Sequence, residues 1–390
     1  MTDGSVYLDH AATTPLDRRV LEAMLPYLQG ALAGGNPSSL HGPGAAAREA
    51  VEEARASVAG LIGASPQEIV FTSGGTEADN LAVLGLAAAD PGKKHAAVSA
   101  VEHAAVRGAV EHLESRGYEV TRLGVDTDGR VSPEDLADAL RPDTALVAVM
   151  WANNEVGTVQ RVAELAGRCR ERGVPFHADA VQAAGRLPVD VSRVPVSTLA
   201  ISCHKLYGPQ GVGALYVRGG VKLAPILFGG GQEGGFRSGT ENVAGLVGFG
   251  AAARHAMEEM DDRIRHEEGL RETLASGALR LPGVRLNGHR NERLSNNVHF
   301  SVDGVEAESL VLFLDAMGYA VGSGSACASS TAGHKASPVL LAMGRGEDEA
   351  FNAVRISVGK DTTREEVEGF LGAFSTAVSR LRELSPLYIH

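Results

Sequence analysis

Short β-branched runs alternate along this chain with longer stretches of helical periodicity, and no other feature limits its fold so tightly. The strand-like runs are Glu68 to Thr72, Ala96 to Ser99, Glu119 to Leu123, Ala145 to Trp151, Pro175 to Ala178, Thr198 to Ser202 and Gly213 to Val217. Between them, Ala45 to Leu61, Glu77 to Ala88, His103 to Ser115, Pro133 to Ala139 and Val162 to Arg172 read as helices. Such alternation builds a mostly parallel sheet covered by helices, because each parallel connection needs a crossover. We therefore expect an α/β fold whose large domain occupies about residues 15–255. A long charged helix, near Val243 to Leu279, leads out of it. After Leu281-Pro282-Gly283 the pattern changes to strands near Leu294 to Val302 and Asn352 to Ser357, with helices at Ala307 to Met317 and Arg364 to Leu384. That pattern predicts a smaller α+β domain from residues 256–390 joined by residues 1–14. A chain of 390 residues, 44% of them hydrophobic, can fill both cores.

Composition excludes several functions. With 36 basic against 48 acidic residues the net charge is −12, so direct binding to nucleic acid or an anionic membrane is not expected. The start, Met1-Thr2-Asp3-Gly4-Ser5, lacks the basic and apolar regions of a secretory signal, and no apolar run approaches a membrane span. The expected location is cytoplasmic. Three separated cysteines without a CxxC pair argue against structural zinc or a disulfide framework.

Three local patterns carry chemistry. Lys205 is one of only six lysines and lies between the apolar run ending at Ser202 and the turn Gly208-Pro209, whereas the others sit beside loop signals. A strand-end lysine with a desolvated amine is the usual Schiff-base nucleophile toward a carbonyl compound or pyridoxal phosphate; a lysine snorkelling from a strand end is the plainer alternative. Ile69 to Glu77 reads as strand, Gly74-Gly75 turn and helix start near Thr76. It is either an anion cradle or an ordinary turn with a threonine cap, and it has neither Walker nor GxGxxG spacing. Asp179 ends a strand 26 positions before Lys205 and is either a helix cap or a carboxylate placed beside a pyridine nitrogen. The three together are much more specific than any one alone.

These residues also carry a resemblance. Leu8-Asp9-His10-Ala11-Ala12-Thr13-Thr14-Pro15, Gly35-Asn36-Pro37, Thr72 to Asn80, Glu102-His103, Asn153-Asn154-Glu155-Val156-Gly157, His177 to Gln182, His204 to Pro209, Arg237-Ser238-Gly239-Thr240 and Ser323 to Cys327, in order over nearly the whole chain, resemble a cysteine desulfurase of the NifS/IscS group. The resemblance implies the fold-type I pyridoxal-phosphate architecture of the class V aminotransferases and a homodimer with active sites at its interface. It makes Lys205 the Schiff-base lysine, Asp179 the partner of the ring nitrogen, and His103 the residue that stacks on the ring and shuttles protons. Asn154 and Gln182 would approach the phenolic oxygen. Gly75, Thr76, Ser202 and His204 would hold the phosphate, with Thr240 reaching the phosphate of the neighbouring subunit. Asn36 and Arg355 would hold the substrate carboxylate. Histidine in a core, amides bonded to strand ends and arginine on a strand surface are the ordinary alternatives.

Cys327 decides the reaction. It lies in Gly322-Ser323-Gly324-Ser325-Ala326-Cys327-Ala328-Ser329-Ser330, too poor in apolar bulk for a core, and as thiolate it would take the sulfur of L-cysteine. Cys169 and Cys203 read as packing residues. The expected reaction turns L-cysteine into L-alanine with a persulfide on Cys327, for delivery to an acceptor or scaffold protein; no metal site is expected, apart from a contribution of Cys327 to a transferred iron–sulfur cluster. An aminotransferase or selenocysteine lyase of the same fold, or a scaffold without turnover, are the other readings. The Ser330 to Pro338 segment departs from the commoner Gly-Val-Ala-Glu-Pro-Ser-His pattern. That departure bears on the position and reach of Cys327, while the arginine-rich composition and the end at His390 without a C-terminal extension point among possible acceptors (iron–sulfur assembly, tRNA thiolation) toward DNA phosphorothioation, the DndA-like role.

Overall fold

The computed structural model describes residues 5–30, 32–323 and 336–384. Among these residues the strands are β1 (Val6–Tyr7), β2 (Ile69–Thr72), β3 (His95–Ser99), β4 (Glu119–Leu123), β5 (Thr144–Ala148), β6 (Phe176–Asp179), β7 (Thr198–Ser202), β8 (Gly213–Val217), β9 (Val284–Leu286), β10 (Asn297–Val302), β11 (Tyr319–Ala320), β12 (Gly322–Ser323) and β13 (Ala353–Ser357). Seven form one sheet in the order β2-β8-β7-β6-β5-β3-β4. All its pairs are parallel except the two made by β8, which runs against both β2 and β7. The sheet is mixed, as an apolar run alone cannot declare its direction.

Burial explains the composition of these strands. Helices cover both faces of the sheet, so β3, β5, β7 and β8 are buried at every position. Successive side chains alternate between two cores. Leu199, Ile201, Tyr216 and Phe249 pack on one face, and Ala200, Leu215, Leu146 and Leu81 on the other. Edge strand β4 alone keeps Glu119 and Arg122 in water, a charged edge that discourages further pairing.

The second sheet, β12-β13-β10-β9, is antiparallel throughout. Phe300, Val354 and Ile356 from it pack with Phe370 and Phe374 of the helix Arg364–Leu384. Strand β1 pairs in parallel with β11, and Asp9 bridges to Ser357, so the N-terminal segment threads between this sheet and the large one.

The charged stretch expected as one helix from Val243 to Leu279 is two, Val243–Glu258 and Met260–Ala278. The break has no glycine or proline. It falls at Glu259, whose backbone (φ −105°, ψ 2°) leaves helical geometry and whose carboxylate accepts from Arg19 and Arg263. A tertiary ion pair, invisible to periodicity, ends the first helix.

Gly213 shows how tightly the sheet is tied to the turn beneath the site. A Cβ there would come within 2.6 Å of the Gly74 backbone and 2.8 Å of the Ile201 carbonyl oxygen. Gly213→Ala should therefore lower the unfolding free energy by about 1–3 kcal/mol, read from a shifted urea midpoint at unchanged slope. Among the described residues no helix is long and apolar enough to cross a membrane.

Candidate active site

The C-terminal ends of the parallel strands open on one cavity of about 380 Å3, where ligands bind in sheets of this kind. Strands β2, β3, β5, β6 and β7 each deliver groups there. Strand β2 passes through Gly74 into the helix Gly75–Ala89, whose N-cap makes no side-chain hydrogen bond, which leaves first-turn N–H groups available to an anion. Gly75 has no room for a side chain: a Cβ would approach Val181 Cγ2 to 2.7 Å. After β3 comes His103, which caps the helix Ala104–Ser115 by accepting from the Ala105 N–H. Strand β6 ends in Asp179, 5% exposed, whose Oδ1 accepts from the Val181 N–H at 2.9 Å. Strand β7 ends in Ser202 and runs through a 3-10 turn, Cys203–Lys205.

Lys205 is buried, and its Nζ donates to the carbonyl oxygens of Ala11, at 2.6 Å, and Ala12. The N-terminal segment thus forms one wall of the cavity. His204 Nδ1 lies 3.0 Å from Thr13 Oγ1, and burial pushes that imidazole down to about 4, so it is neutral at physiological pH. Gln182 donates to the Ala11 carbonyl while its Oε1 is buried without a partner. Arg355 on β13 gives Nη1 to the Asn154 carbonyl at 2.9 Å and Nη2 to Asp9 at 2.8 Å, leaving Nε buried and unpartnered. Burial also pushes Asp179 above the usual carboxylate range, opposed by His103 and Lys205.

Gly75, Thr76, His103, Asn154, Asp179, Gln182, Ser202, His204, Lys205 and Arg355 therefore share one lining. Asn36 and Thr240 do not: both sit on exposed stretches, Asn36 in a turn that its own Oδ1 closes by accepting from Ser38 N–H. Cys327 lies outside the described residues. The cavity also contains groups that motif reading passed over. Asp79 and Arg107 follow Thr76 and His103 by one helical turn, a spacing that places them on the same side. Glu155, next to Asn154, is pushed up to about 7 by burial and accepts from Ser337 Oγ.

A buried cavity-lining lysine at the strand ends of a mixed α/β sheet, with an uncapped helix start suited to a phosphate, fits a fold-type I pyridoxal-phosphate enzyme. Residues 6–370 match the family model described as Aminotransferase class-V. The chain is 46% identical over 383 residues to a cysteine desulfurase IscS from Dictyoglomus turgidum, covering 98% of this chain and 96% of that protein. A solved NifS-like protein superposes with a TM-score of 0.90 at 37% identity, over 96% of this chain and 100% of the other. DndA from Streptomyces lividans does so with 0.77 at 37% identity, over 90% and 99%. The chain belongs to the class V aminotransferase family, and within it to the cysteine desulfurases of the NifS/IscS group. Its cofactor is pyridoxal 5′-phosphate. The residues present fit that group: the uncapped turn suits a phosphate, buried Lys205 reaches the cavity, and Gln182 Oε1 waits there for a donor.

Proposed function

We propose that this cavity converts L-cysteine to L-alanine and that the sulfur leaves as a persulfide on Cys327, for transfer to an acceptor protein. The observation that carries this is the convergence of Lys205, Asp179, His103 and Arg355 on one cavity beside an uncapped helix start. Gly75, Thr76, Ser202 and His204 would hold the phosphate, and Asp179 would pair with the ring nitrogen. Asn154 and Gln182 would hold the phenolic oxygen, and His103 would stack on the ring. When bound, pyridoxal phosphate supplies an electron sink for a carbanion at the substrate Cα.

The chain does the rest by placement and proton transfer. Lys205 takes the proton from Cα and returns it, and its burial keeps water from competing for that proton. Arg355 grips the substrate carboxylate with the donor capacity its own partners leave unused. The Cys327 thiolate attacks the substrate sulfur, so an S–S bond forms as the Cβ–S bond breaks, and the carbon side is reprotonated. L-cysteine plus the Cys327 thiol become L-alanine plus the Cys327 persulfide, which balances without an external oxidant or reductant.

Thr240, exposed and outside the cavity, supports a homodimer in which it completes the phosphate site of the neighbouring subunit. The 46% identity to an IscS protein supports iron–sulfur assembly as the destination of the sulfur; the likeness to DndA keeps DNA phosphorothioation as a second one, with a partner protein touching the DNA because this chain carries −12. Incubation with L-cysteine followed by alkylation and peptide mass analysis tests the reading. A persulfide on Cys327 with equimolar alanine supports it, and alanine without persulfide sinks it. For Arg355→Ala we expect KM for L-cysteine to rise roughly 10- to 100-fold, the scale of a lost charge-assisted pair, with unchanged cofactor absorbance.

A further inference from the structure

Asp79 lines the cavity and is 1% exposed, yet nothing in the proposed reaction uses it. It stands on the helix Gly75–Ala89, one turn beyond Thr76. Its Oδ1 is 3.1 Å from His177 Nε2, and the other nitrogen of that ring is 3.0 Å from Thr198 Oγ1. His177 and Thr198 are fully buried on β6 and β7. No arginine or lysine pairs with Asp79 among the described residues, and burial pushes His177 down to about 3, so its imidazole brings no positive charge. One oxygen each of Asp79 and Asp179 and one ring nitrogen of His103 lie within 4.8 Å of one another.

A buried carboxylate without a cation is costly, and two so close do not both ionise at neutral pH. The titratable groups about the pair are His177 on β6, Glu102 and His103 ahead of the helix Ala104–Ser115, and Lys205 beyond β7; Arg107, Glu155, His204 and Arg355 complete the titratable lining. Strands β2, β5 and β8 themselves place none there. Lys205 and His103 favour the ionised form of Asp179, whereas Asp179 and Glu102 both oppose that of Asp79.

We propose that Asp79 and Asp179 form a carboxyl pair that holds one proton between them, Asp79 as the neutral acid and Asp179 as the anion, making Asp79 a positioning residue for the charge that faces the cofactor ring. The inference rests on the cofactor placement given above. Burial first, then Asp179 and Glu102, push Asp79 well above its usual range, in agreement with the geometry. A neutral Asp79 keeps the cavity floor at a single negative charge, matched to one protonated ring nitrogen. At high pH the second charge appears and is felt by both the ring and Lys205.

Asparagine mimics the neutral acid and cannot ionise, which gives the test. For Asp79→Asn, pyridoxal-phosphate dissociation constants should stay within about threefold of wild type at pH 6–7, since one neutral polar group replaces another. Above pH 8 the visible absorption should titrate with a midpoint lower by about half a unit or more, because the variant lacks the second charge. Asp79→Leu should bind the cofactor roughly tenfold more weakly at every pH, and asparagine should restore what leucine loses.

The apo protein gives a reading that needs no cofactor. A carboxyl neutral in the fold but ionised when unfolded above about pH 4 loses stability as pH rises from there through its folded value. Asp79→Asn should therefore gain melting temperature relative to wild type from pH 4 to pH 8. Tenfold weaker cofactor binding by Asp79→Asn at pH 6–7 would make Asp79 an anion and overturn the proposal, as would apo and holo pH profiles that superimpose on wild type. A wild type that binds no pyridoxal phosphate would instead sink the cofactor placement, while the apo profiles would still report the proton.

Discussion

Replacing Lys205 by alanine is expected to abolish L-alanine formation, by about a thousandfold or more, and to remove the visible absorption of the holoenzyme. The size follows from the two jobs given to one amine, covalent anchoring and proton transfer at Cα, each worth orders of magnitude on its own. Among the described residues no other lysine can take over. Of the remaining described lysines none lines the cavity, and Lys360 is committed to Asp17. The fold should tolerate the change. Two carbonyls, those of Ala11 and Ala12, lose their donor, at about 1–3 kcal/mol each if nothing replaces it, but a buried cation is removed at the same time. Pyridoxal phosphate should still enter, held through its phosphate by the helix start, and should wash out on dialysis. The measurements are an absorption spectrum and an alanine assay; activity within tenfold of wild type would remove Lys205 from the chemistry.

Lys205 stands out in the amino-acid sequence because strand ends and turns are written locally. Strands β4, β7 and β8 and the helices Pro133–Ala139 and Arg364–Leu384 have the bounds read from pattern, because turn residues lie close to the ends of each. The expected strand from Ala145 to Trp151 stops at Ala148, although the backbone continues to pair, Trp151 N–H with the Asp179 carbonyl. The helix Arg18–Leu28 leaves too little signal: Pro26 lies inside it, and its start depends on Asp17 accepting from Arg19 N–H. Two-residue strands such as β1 and β11 exist only through their partner.

The site divides in the same way. Asp179, Lys205 and Gly75 occupy strand ends, which local pattern marks. Asp79 looks like any polar residue on a helix until β6 is packed against it, and its meaning comes from His177 and Asp179, 98 and 100 positions away. Arg355 carries no local sign of its role; its place depends on β13 lying beside β12 and on Asp9 arriving from the opposite end of the chain.

Substituting Cys327 by alanine should stop persulfide formation entirely and cut alanine production by about a thousandfold, while cofactor absorbance and its change on adding L-cysteine persist. The other two cysteines cannot substitute. Cys169 is fully buried in the helix Val162–Glu171, and burial pushes its thiol up to about 12. Cys203 is equally buried, its thiol is raised well above the ordinary value, and a Cβ on Gly208 would meet its Sγ at 2.1 Å, so the pocket around that sulfur is closed. Neither lines the cavity, and neither supplies thiolate at neutral pH. A Cys169→Ala, Cys203→Ala double variant should therefore keep its rate within about threefold, at a cost in stability alone. Sulfur abstraction needs a thiolate that meets the substrate; Cys169 and Cys203 fail both requirements, which leaves the step to Cys327. If Cys327→Ala still forms alanine from L-cysteine at the wild-type rate, the sulfur does not pass through a protein thiol, and a lyase or aminotransferase acting from the same Lys205 site takes the place of the desulfurase.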